Sequence, residues 1–286
     1  MLSQQYGLEQ SPIRPFVKWA GGKRQIIPVL QGFFPRAFGE YHEPFLGGGA
    51  VLFHMLSGGR RHKCHASDLN GELVLAYEVV RDSVEDLISA LEEHARAYNA
   101  DKSGHYYEVR AAEPRGDLAR VSRMIFLNRT CFNGLYRVNK RGRFNVPLGR
   151  YSNPGIVNAE NLRAVSATLR SGRVSIGCHD FVDSAEDAKR GDFVYFDPPY
   201  QPVSRTASFT SYTRADFGAE DLARLAGLCR RLDARGCHVM LSNSNTPEVR
   251  SHFGNSWKTR KVRANRAINS DSGGRSGHTE LVITNY

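Results

Sequence analysis

The sequence predicts an α/β fold built around a mainly parallel sheet. Short β-like runs alternate with helical patterns along the chain, which is typical of βαβ units. With 286 residues, 41% of them hydrophobic, the chain can bury one large domain and a smaller insert. Glycine-containing or acidic strings follow several β-like runs, where parallel strands present ligand-binding loops. We expect strands over residues 41–45, 62–67, 174–178, 192–196, 237–242 and 280–284.

Helical patterns are expected near residues 50–56, 71–82 and 220–234. The alternation of strand and helix is interrupted from about residue 84 to residue 159. This stretch begins with helical patterns and then carries Asn, Gly and Pro at short intervals over 133–150, which predicts a β-hairpin or an extended loop. We therefore predict a main domain formed by residues 12–83 and 160–286, and an inserted, mostly helical subdomain over 84–159.

The positive charge of the chain is concentrated in two stretches. The chain has 39 Lys and Arg residues against 29 Asp and Glu, a formal net charge of +10. Residues 129–150 contain six basic residues and residues 257–266 contain five, and neither stretch contains an acid. The remaining 28 basic and 29 acidic residues nearly balance. Two basic regions on a near-neutral body indicate a polyanion partner.

Cysteine usage and hydropathy exclude several classes of protein. The five cysteines are odd in number and form no CxxC pair, so we expect neither a disulfide framework nor a zinc site. Unpaired cysteines fit a reducing cytoplasm. There is no run of eighteen apolar residues, and the first residues lack the basic and apolar regions of a secretory signal. We expect a cytoplasmic protein with no membrane partner and no metal ion.

The string Phe196-Asp197-Pro198-Pro199-Tyr200 follows an apolar run, which places it in a loop at the carboxyl end of the sheet. An aromatic amine is a poor nucleophile because its lone pair is delocalised into the ring. It attacks better when acceptors bind its hydrogens. Asp197 and the carbonyl of Pro198 can supply two acceptors, and consecutive prolines fix the backbone. Tyr200 can stack on the ring. The alternative interpretation is a plain strand-ending turn.

Three further strings predict ligand-binding loops. Glycines 47–49 lie between a strand and a helix, where they allow close approach of a ligand, although they do not match G-x-G-x-x-G. Asp68 ends the next strand, where an acid can reach ribose hydroxyls. Asp180 and Phe181 follow the run 174–178 and could hold a purine ring. Lys23 lies beside two glycines and could bind an anion, but the spacing of a P-loop is not met.

The stretch from Asn128 to Tyr151 interleaves Arg, Asn and aromatic residues. Arginine suits guanine O6 and N7, asparagine suits adenine, and aromatic rings can wedge into a base stack. The basic groups would also gain affinity from the release of counterions. The stretch therefore predicts a DNA-reading surface, the simpler alternative being a solvated loop.

In combination, these strings resemble the Dam-type (D12 class) DNA adenine-N6 methyltransferases over about residues 15–286. The strings that carry the resemblance occur in the family's order at residues 18–23, 43–50, 133–137 with 144–147, 197–200 and 280–286. The resemblance implies a Rossmann-like methyltransferase sheet with an inserted target-recognition subdomain that carries a β-hairpin. It also implies S-adenosylmethionine as methyl donor, S-adenosylhomocysteine as product and double-stranded DNA as substrate. Base flipping, in-line transfer to adenine N6 and, for many members, the sequence GATC are implied as well, and we expect a monomer.

The resemblance further implies a role for each matching position. The flipped base would be held by Asp197, Pro198, Pro199 and Tyr200. The cofactor would be bound by Trp19, Ala20, Lys23, Phe45, Gly47, Asp68, Asp180 and Phe181. DNA would be contacted by Lys18, Phe132, Asn133, Leu135, Arg137, Asn139, Pro147 and Tyr151. Phe132 and Asn133 would fill the space left by the base, and Arg137 would read guanine. The chain departs from the family pattern at Phe132, where Tyr is common, and at the bulky Tyr136.

Other functions compete with this interpretation. The same chemistry could act on cytosine N4 or on a base in RNA, although the hairpin string argues against both. A non-catalytic, sequence-specific DNA-binding protein would have no need of the string 197–200. A dehydrogenase or an ATPase is disfavoured because both phosphate-binding fingerprints fail, and a zinc deaminase is disfavoured because H-x-E and P-C-x-x-C are absent.

Overall fold

The computed structural model describes residues 13–57, 62–139, 141–200, 217–253, 257–264 and 278–286. A single seven-stranded sheet organises these residues. Its strands are β1 (Tyr41–Glu43), β2 (Cys64–Ser67), β3 (Val174–Gly177), β4 (Phe193–Phe196), β5 (His238–Ser244), β6 (Lys258–Ala264) and β7 (His278–Thr284). All six strands expected from the sequence are confirmed, to within a few residues at each end.

The order of the strands is β3-β2-β1-β4-β5-β7-β6. The first five strands run parallel, whereas β7 pairs antiparallel with both β5 and β6. Strand β6 was not predicted, because its sequence KTRKVRA is mostly charged and gives a weak strand signal. Its position at the edge of the sheet explains that composition, since charged edge strands discourage pairing with other chains.

Ten α-helices occur in the described part of the chain. They are α1 (Ile27–Leu30), α2 (Ala50–Ser57), α3 (Gly71–Asp82), α4 (Val84–Ala100), α5 (Lys102–Ala111), α6 (Asp117–Thr130), α7 (Ala159–Leu169), α8 (Phe181–Ser184), α9 (Ala219–Arg235) and α10 (Pro247–Phe253). The three helices expected outside the insert, α2, α3 and α9, are confirmed. Local signals fix their ends: the Asn70 side chain caps α3, and Gly236 ends α9 with a φ of 86°.

Helices cover both faces of the sheet, and side chains that alternate along each strand supply two apolar cores. Phe193 and Tyr195 of β4 face one core, which continues into α2, α3 and the helices α4 to α6. Val194 and Phe196 face the other core, with α8, α9 and α10. Helices α4 to α6 lie between β2 and β3 in the chain and share the first core with the sheet. The division into a main domain and an inserted subdomain stays a prediction.

No helix in the described part of the chain is long and apolar enough to cross a membrane.

Candidate functional site

Four loops with predicted site residues lie at the carboxyl ends of neighbouring parallel strands. Phe45 and Gly47 follow β1, Asp68 follows β2, Asp180 follows β3 and Asp197 follows β4. Because β1, β2, β3 and β4 all run in the same direction, these ends lie at one edge of the sheet. This edge is where open α/β sheets bind their ligands.

Asp197 forms an ion pair with Lys23 at the centre of this edge. The Lys23 ammonium lies 2.7 Å from Asp197 Oδ1, and the two side chains are only 4% and 17% exposed. Lys23 also donates a hydrogen bond of 2.8 Å to the carbonyl of Gly21. Burial raises the pKa of Asp197 to about 6, while the charge of Lys23 opposes that rise. Asp197 is therefore mostly ionised at neutral pH, and Lys23 helps to keep it so.

Tyr200 is fixed by a buried carboxylate from the last strand. Its hydroxyl donates a 2.8 Å hydrogen bond to Glu280 Oε2, and Glu280 is 7% exposed. Lys23 Nζ lies 4.7 Å from the centre of the Tyr200 ring. Glu280 begins the closing string 280–286, in which no local pattern marks it as a site residue. Only the pairing of β7 with β5, which sets Glu280 opposite Ser244, shows that it reaches this edge.

A second buried carboxyl group, that of Glu43, lies beneath the same edge. Glu43 is 3% exposed and accepts a 2.8 Å hydrogen bond from the hydroxyl of Tyr41. Burial raises the pKa of Glu43 to about 8, and the nearby charge of Asp197 adds to the rise. Glu43 is therefore mostly protonated at neutral pH, which leaves Asp197 as the carboxylate that balances Lys23.

The glycine loop after β1 is tied to the loop after β2. Asp68 Oδ2 accepts from the backbone N–H of Gly47 at 2.9 Å, and Asp68 Oδ1 accepts from the N–H of Asn70 at 2.9 Å. Burial raises the pKa of Asp68, and these two hydrogen bonds oppose the rise. Gly47 has a φ of +50°, and a Cβ there would lie 3.0 Å from Cδ1 of Trp19. The loop therefore requires glycine at this position.

The rings of Phe45 and Phe181 form an aromatic wall beside the glycine loop. They stack with their centroids 5.3 Å apart. Asp180 caps helix α8 by accepting from Val182 N at 3.0 Å, and it forms an ion pair of 2.9 Å with Arg224. The Arg224 guanidinium lies 4.9 Å from the centre of the Phe181 ring. The structure thus brings together Phe45, Asp180 and Phe181, and it adds Arg224, which the sequence did not single out.

Trp19 joins the edge of the sheet to the segment over 132–151. Its ring stacks on Tyr136 with the centroids 5.4 Å apart, and Ala20 next to it is partly buried. On the other side of Trp19, the backbone N–H of Lys18 donates to Asn128 Oδ1 at 2.7 Å, and Asn128 Nδ2 donates back to the Lys18 carbonyl at 2.8 Å. The segment that carries Lys18 to Lys23 is thereby fixed against helix α6.

The residues predicted to enter DNA follow α6 directly. Phe132 begins a 3-10 turn over Phe132–Gly134 and is 40% exposed, which is unusual for a large apolar side chain. Asn133 has a φ of +56°, and no other described residue except glycine has a positive φ. The N–H of Phe132 donates to the carbonyl of the exposed Pro147 at 2.9 Å, and Lys18 Nζ lies 4.2 Å from the ring of Tyr151. Lys18, Phe132, Asn133, Pro147 and Tyr151 thus lie in one region.

The remaining predicted DNA-contacting residues lie in or near the expected hairpin. Two isolated bridges, Cys131–Leu148 and Val138–Phe144, hold it together in place of a continuous ladder. Asn139 Oδ1 accepts from the N–H groups of Arg141 and Arg143 and so forms the turn. Arg137 Nε donates to Asn145 Oδ1 at 2.8 Å, which holds its guanidinium in place. Leu135 is partly buried against the core. Residues 262–272 also resemble the family's DNA-facing loop, and residues 265–272 of this segment lie outside the described residues.

Fold and site together define a class of protein. A parallel sheet extended by an antiparallel β7, with a glycine loop after β1, an acid after β2 and Asp-Pro-Pro-Tyr after β4, matches the Rossmann-like methyltransferase fold. Residues 19–268 match the family of D12 class N6 adenine-specific DNA methyltransferases. The chain belongs to this family and is an S-adenosylmethionine-dependent, adenine-specific DNA methyltransferase.

Relatives of nearly the same length support this assignment. The chain is 43% identical to the Type II methyltransferase M.MjaIII of Methanocaldococcus jannaschii, over 96% of this chain and 99% of that protein. It is 39% identical to the Type II methyltransferase M1.LlaDCHI of Lactococcus lactis subsp. cremoris, over 96% of both chains. It is 32% identical to the DNA adenine methylase of Escherichia coli, over 94% of both chains.

Proposed function

We propose that this methyltransferase modifies adenine N6 in the duplex sequence GATC, after the base has left the stack. The observation that carries the proposed chemistry at N6 is Asp197, 17% exposed, which lies 2.7 Å from Lys23 and three residues before a tyrosine fixed by Glu280. An aromatic amine needs acceptors for its hydrogens in a site that excludes water. Asp197, the carbonyl of the buried Pro198 and the ring of Tyr200 meet that need.

Each residue of the string 197–200 would then have a separate task. The Asp197 carboxylate would accept one hydrogen of the amine, and the carbonyl of Pro198 would accept the other. Pro199 is exposed and restricts the backbone that aims this carbonyl. Tyr200 would stack on the base. The amine becomes acidic once it carries the methyl group, so its proton can leave to Asp197 or to water without a strong base. Holding the reacting atoms in line would supply several kcal/mol of the barrier reduction.

The residues around the glycine loop fit S-adenosylmethionine. When bound, this molecule supplies a methyl group made electrophilic by a sulfonium centre. The fit rests on the close approach at Gly47, where even a Cβ would crowd Trp19, and on the aromatic wall of Phe45 and Phe181. Trp19, Ala20 and Lys23 would hold the methionine end, and Asp68 the ribose. Phe45 and Gly47 would line the loop, and Asp180 and Phe181 would hold the adenine.

The surface around the 3-10 turn would open the duplex. Phe132 is exposed beside Asn133, and both would occupy the space left by the flipped base. Arg137, aimed by Asn145, would read guanine by a bidentate contact, and Lys18 would also contact a guanine. Leu135, Asn139, Pro147 and Tyr151 would complete the contacts. In this proposal residues 84–159 form the target-recognition subdomain, and the enzyme acts as a monomer in the cytoplasm.

The proposal is tested by protecting plasmid DNA. Unmethylated plasmid is incubated with the enzyme and S-adenosylmethionine, then cut with two GATC nucleases that have opposite requirements for methylation. The expected result is resistance to the one nuclease and sensitivity to the other. Asp197→Ala should abolish the change while binding of S-adenosylmethionine survives. N6-methyladenine in the product without a change at GATC would contradict the sequence assignment, and near-normal turnover of Asp197→Ala would contradict the role of Asp197.

A further inference from the structure

Two histidines and a glutamate cluster at the opposite end of the strands from Asp197. His42 in β1 and His65 in β2 are direct partners in the sheet register, and Glu40 immediately precedes β1. One ligand atom from each of these three side chains lies within 4.8 Å of those from the other two. The cluster contains none of the residues of the site at the carboxyl edge.

The orientation of His42 leaves one ring nitrogen unused. Its Nε2 lies 3.4 Å from Asp192 Oδ2, and a carboxylate can only accept, so Nε2 carries the proton. Asp192 is itself held by the backbone N–H groups of Glu40 and Lys189, each at 2.8 Å. The other nitrogen, Nδ1, therefore bears a lone pair. It has no hydrogen-bond partner among the described residues, although His42 is only 2% exposed.

Such an arrangement is unfavourable unless a ligand uses the lone pair. A buried polar atom without a partner keeps a desolvation cost that no hydrogen bond offsets. A metal-bound histidine commonly donates its other N–H to a carboxylate, as His42 does toward Asp192.

The other two side chains of the cluster are accessible from solvent. His65 Nε2 lies 2.7 Å from Glu40 Oε2, and the side chains are 37% and 42% exposed. His65 Nδ1 is 2.9 Å from Ser175 Oγ, which leaves Nε2 as the nitrogen that faces the cluster. The rings of His42 and His65 stack with their centroids 4.8 Å apart. A cation arriving from solvent would replace the contact between His65 and Glu40 with two bonds to itself.

We propose that Glu40, His42 and His65 bind a divalent first-row transition-metal cation, of which Zn²⁺ is the best match. Two imidazoles and one carboxylate, with a fourth position left to water, form a common tetrahedral zinc set. Asp192 orients the His42 ring by accepting a hydrogen bond from Nε2. The cation would join β1 to β2 at their amino ends. Cysteine spacing, which predicts no zinc site, does not reveal a set made of histidines and a glutamate.

The test is a titration of the full chain, stripped with a chelator, with Zn²⁺ alone. Free zinc is monitored with a chromophoric competitor, and the melting temperature is measured with and without zinc. The variants are Glu40→Gln and His65→Gln, whose side chains are accessible enough for the fold to tolerate the change. His94→Gln is the matched control, because His94 lies 3.1 Å from His105 in a histidine pair outside the cluster.

The expected result is one tight Zn²⁺ equivalent and a higher melting temperature in the wild type and in His94→Gln. Both effects should be lost in Glu40→Gln and His65→Gln, with zinc affinity lower by at least tenfold. Equal zinc binding by the wild type and His65→Gln would overturn the proposal, as would the absence of zinc binding by the wild type. If a cluster variant fails to fold, Co²⁺ added to the wild type decides: intense visible bands of a tetrahedral site support the proposal, and the weak bands of the hydrated ion refute it.

Discussion

Replacing Lys23 with methionine removes one charge from the Lys23–Asp197 pair and should shift the pH dependence of methyl transfer. Burial alone raises the pKa of Asp197, and Lys23 at 2.7 Å holds it down to about 6. An opposite charge within 4–6 Å typically lowers the pKa of a carboxyl by about 1–3 pH units. Without Lys23 the carboxyl should therefore take up its proton at higher pH than in the wild type.

The sign and size of the effect on activity follow directly. The ionised Asp197 is the active form in the proposed mechanism, so activity falls as pH drops through its pKa. In Lys23→Met the acidic limb should move to higher pH by about 1–3 pH units. A shift of about 2 pH units would lower activity at pH 7 roughly tenfold, because most of the carboxyl would then be protonated.

Single-turnover rates on a GATC duplex, measured from pH 5.5 to 9 at saturating DNA and S-adenosylmethionine, provide the assay. Saturation separates the effect on Asp197 from any loss of cofactor affinity. Lys63→Met is the matched control, since Lys63 is exposed and immediately precedes β2, whereas Asp197 follows β4 at the opposite end of the parallel strands. A Lys23→Met profile that is lower at every pH but has an unmoved acidic limb would refute the electrostatic argument.

Three further predictions concern residues that the structure singles out. The folded state raises the pKa of Glu43 to about 8 and favours its protonated form, so the wild type loses stability as pH rises from about 4.5 to about 8. Glu43→Gln does not titrate, and its free energy of unfolding should therefore rise relative to that of the wild type by up to about 4–5 kcal/mol over this range. Denaturant unfolding at pH 5 and pH 9 checks this, and a pH-independent difference would contradict it. Glu280→Leu should lower the single-turnover rate by about tenfold, because Tyr200 loses its hydrogen-bond acceptor. Glu280→Gln keeps an acceptor and should restore the rate. Equal rates for the two variants would count against a positioning role for Glu280. Asn133→Ala should be less stable than Asn133→Gly by about 1–2 kcal/mol, because the φ of +56° disfavours a side chain with a Cβ. Both variants should methylate duplex DNA poorly. Urea unfolding and methylation assays measure the two effects separately, and equal stability of the variants would contradict a cost from the positive φ.

The elements that the sequence predicted are those set by local pattern. The apolar run 193–196 followed by Asp197, and the glycines after β1, identify strand and loop within a few residues of each other. Asn70 and Gly236 likewise fix helix ends through contacts with neighbouring residues. Such signals need no knowledge of the rest of the fold, which is why the carboxyl-edge loops could be placed in advance.

The contacts within the candidate site could not be predicted, because they join residues far apart in the chain. Tyr200 and Glu280 are 80 residues apart, and only the antiparallel insertion of β7 brings them together. The histidine cluster has no sequence motif either, since His42 and His65 become neighbours through the β1–β2 register. Strand β6 could not be predicted for a different reason. Its sequence is mostly charged, as suits an edge strand, so it lacks the apolar residues by which a strand is recognised.

The late insertion of β7 has a consequence for how the enzyme folds. Strand β7 lies between β5 and β6, so the sheet cannot be completed until the chain beyond residue 278 is available. Lys23, Asp197 and Glu280 come from early, middle and late parts of the chain, and such long-range pairing is slow to form. During synthesis the early strands can assemble while β5 still has an unpaired edge. Full methyl-transfer activity should therefore appear only after β7 has paired with β5 and supplied Glu280.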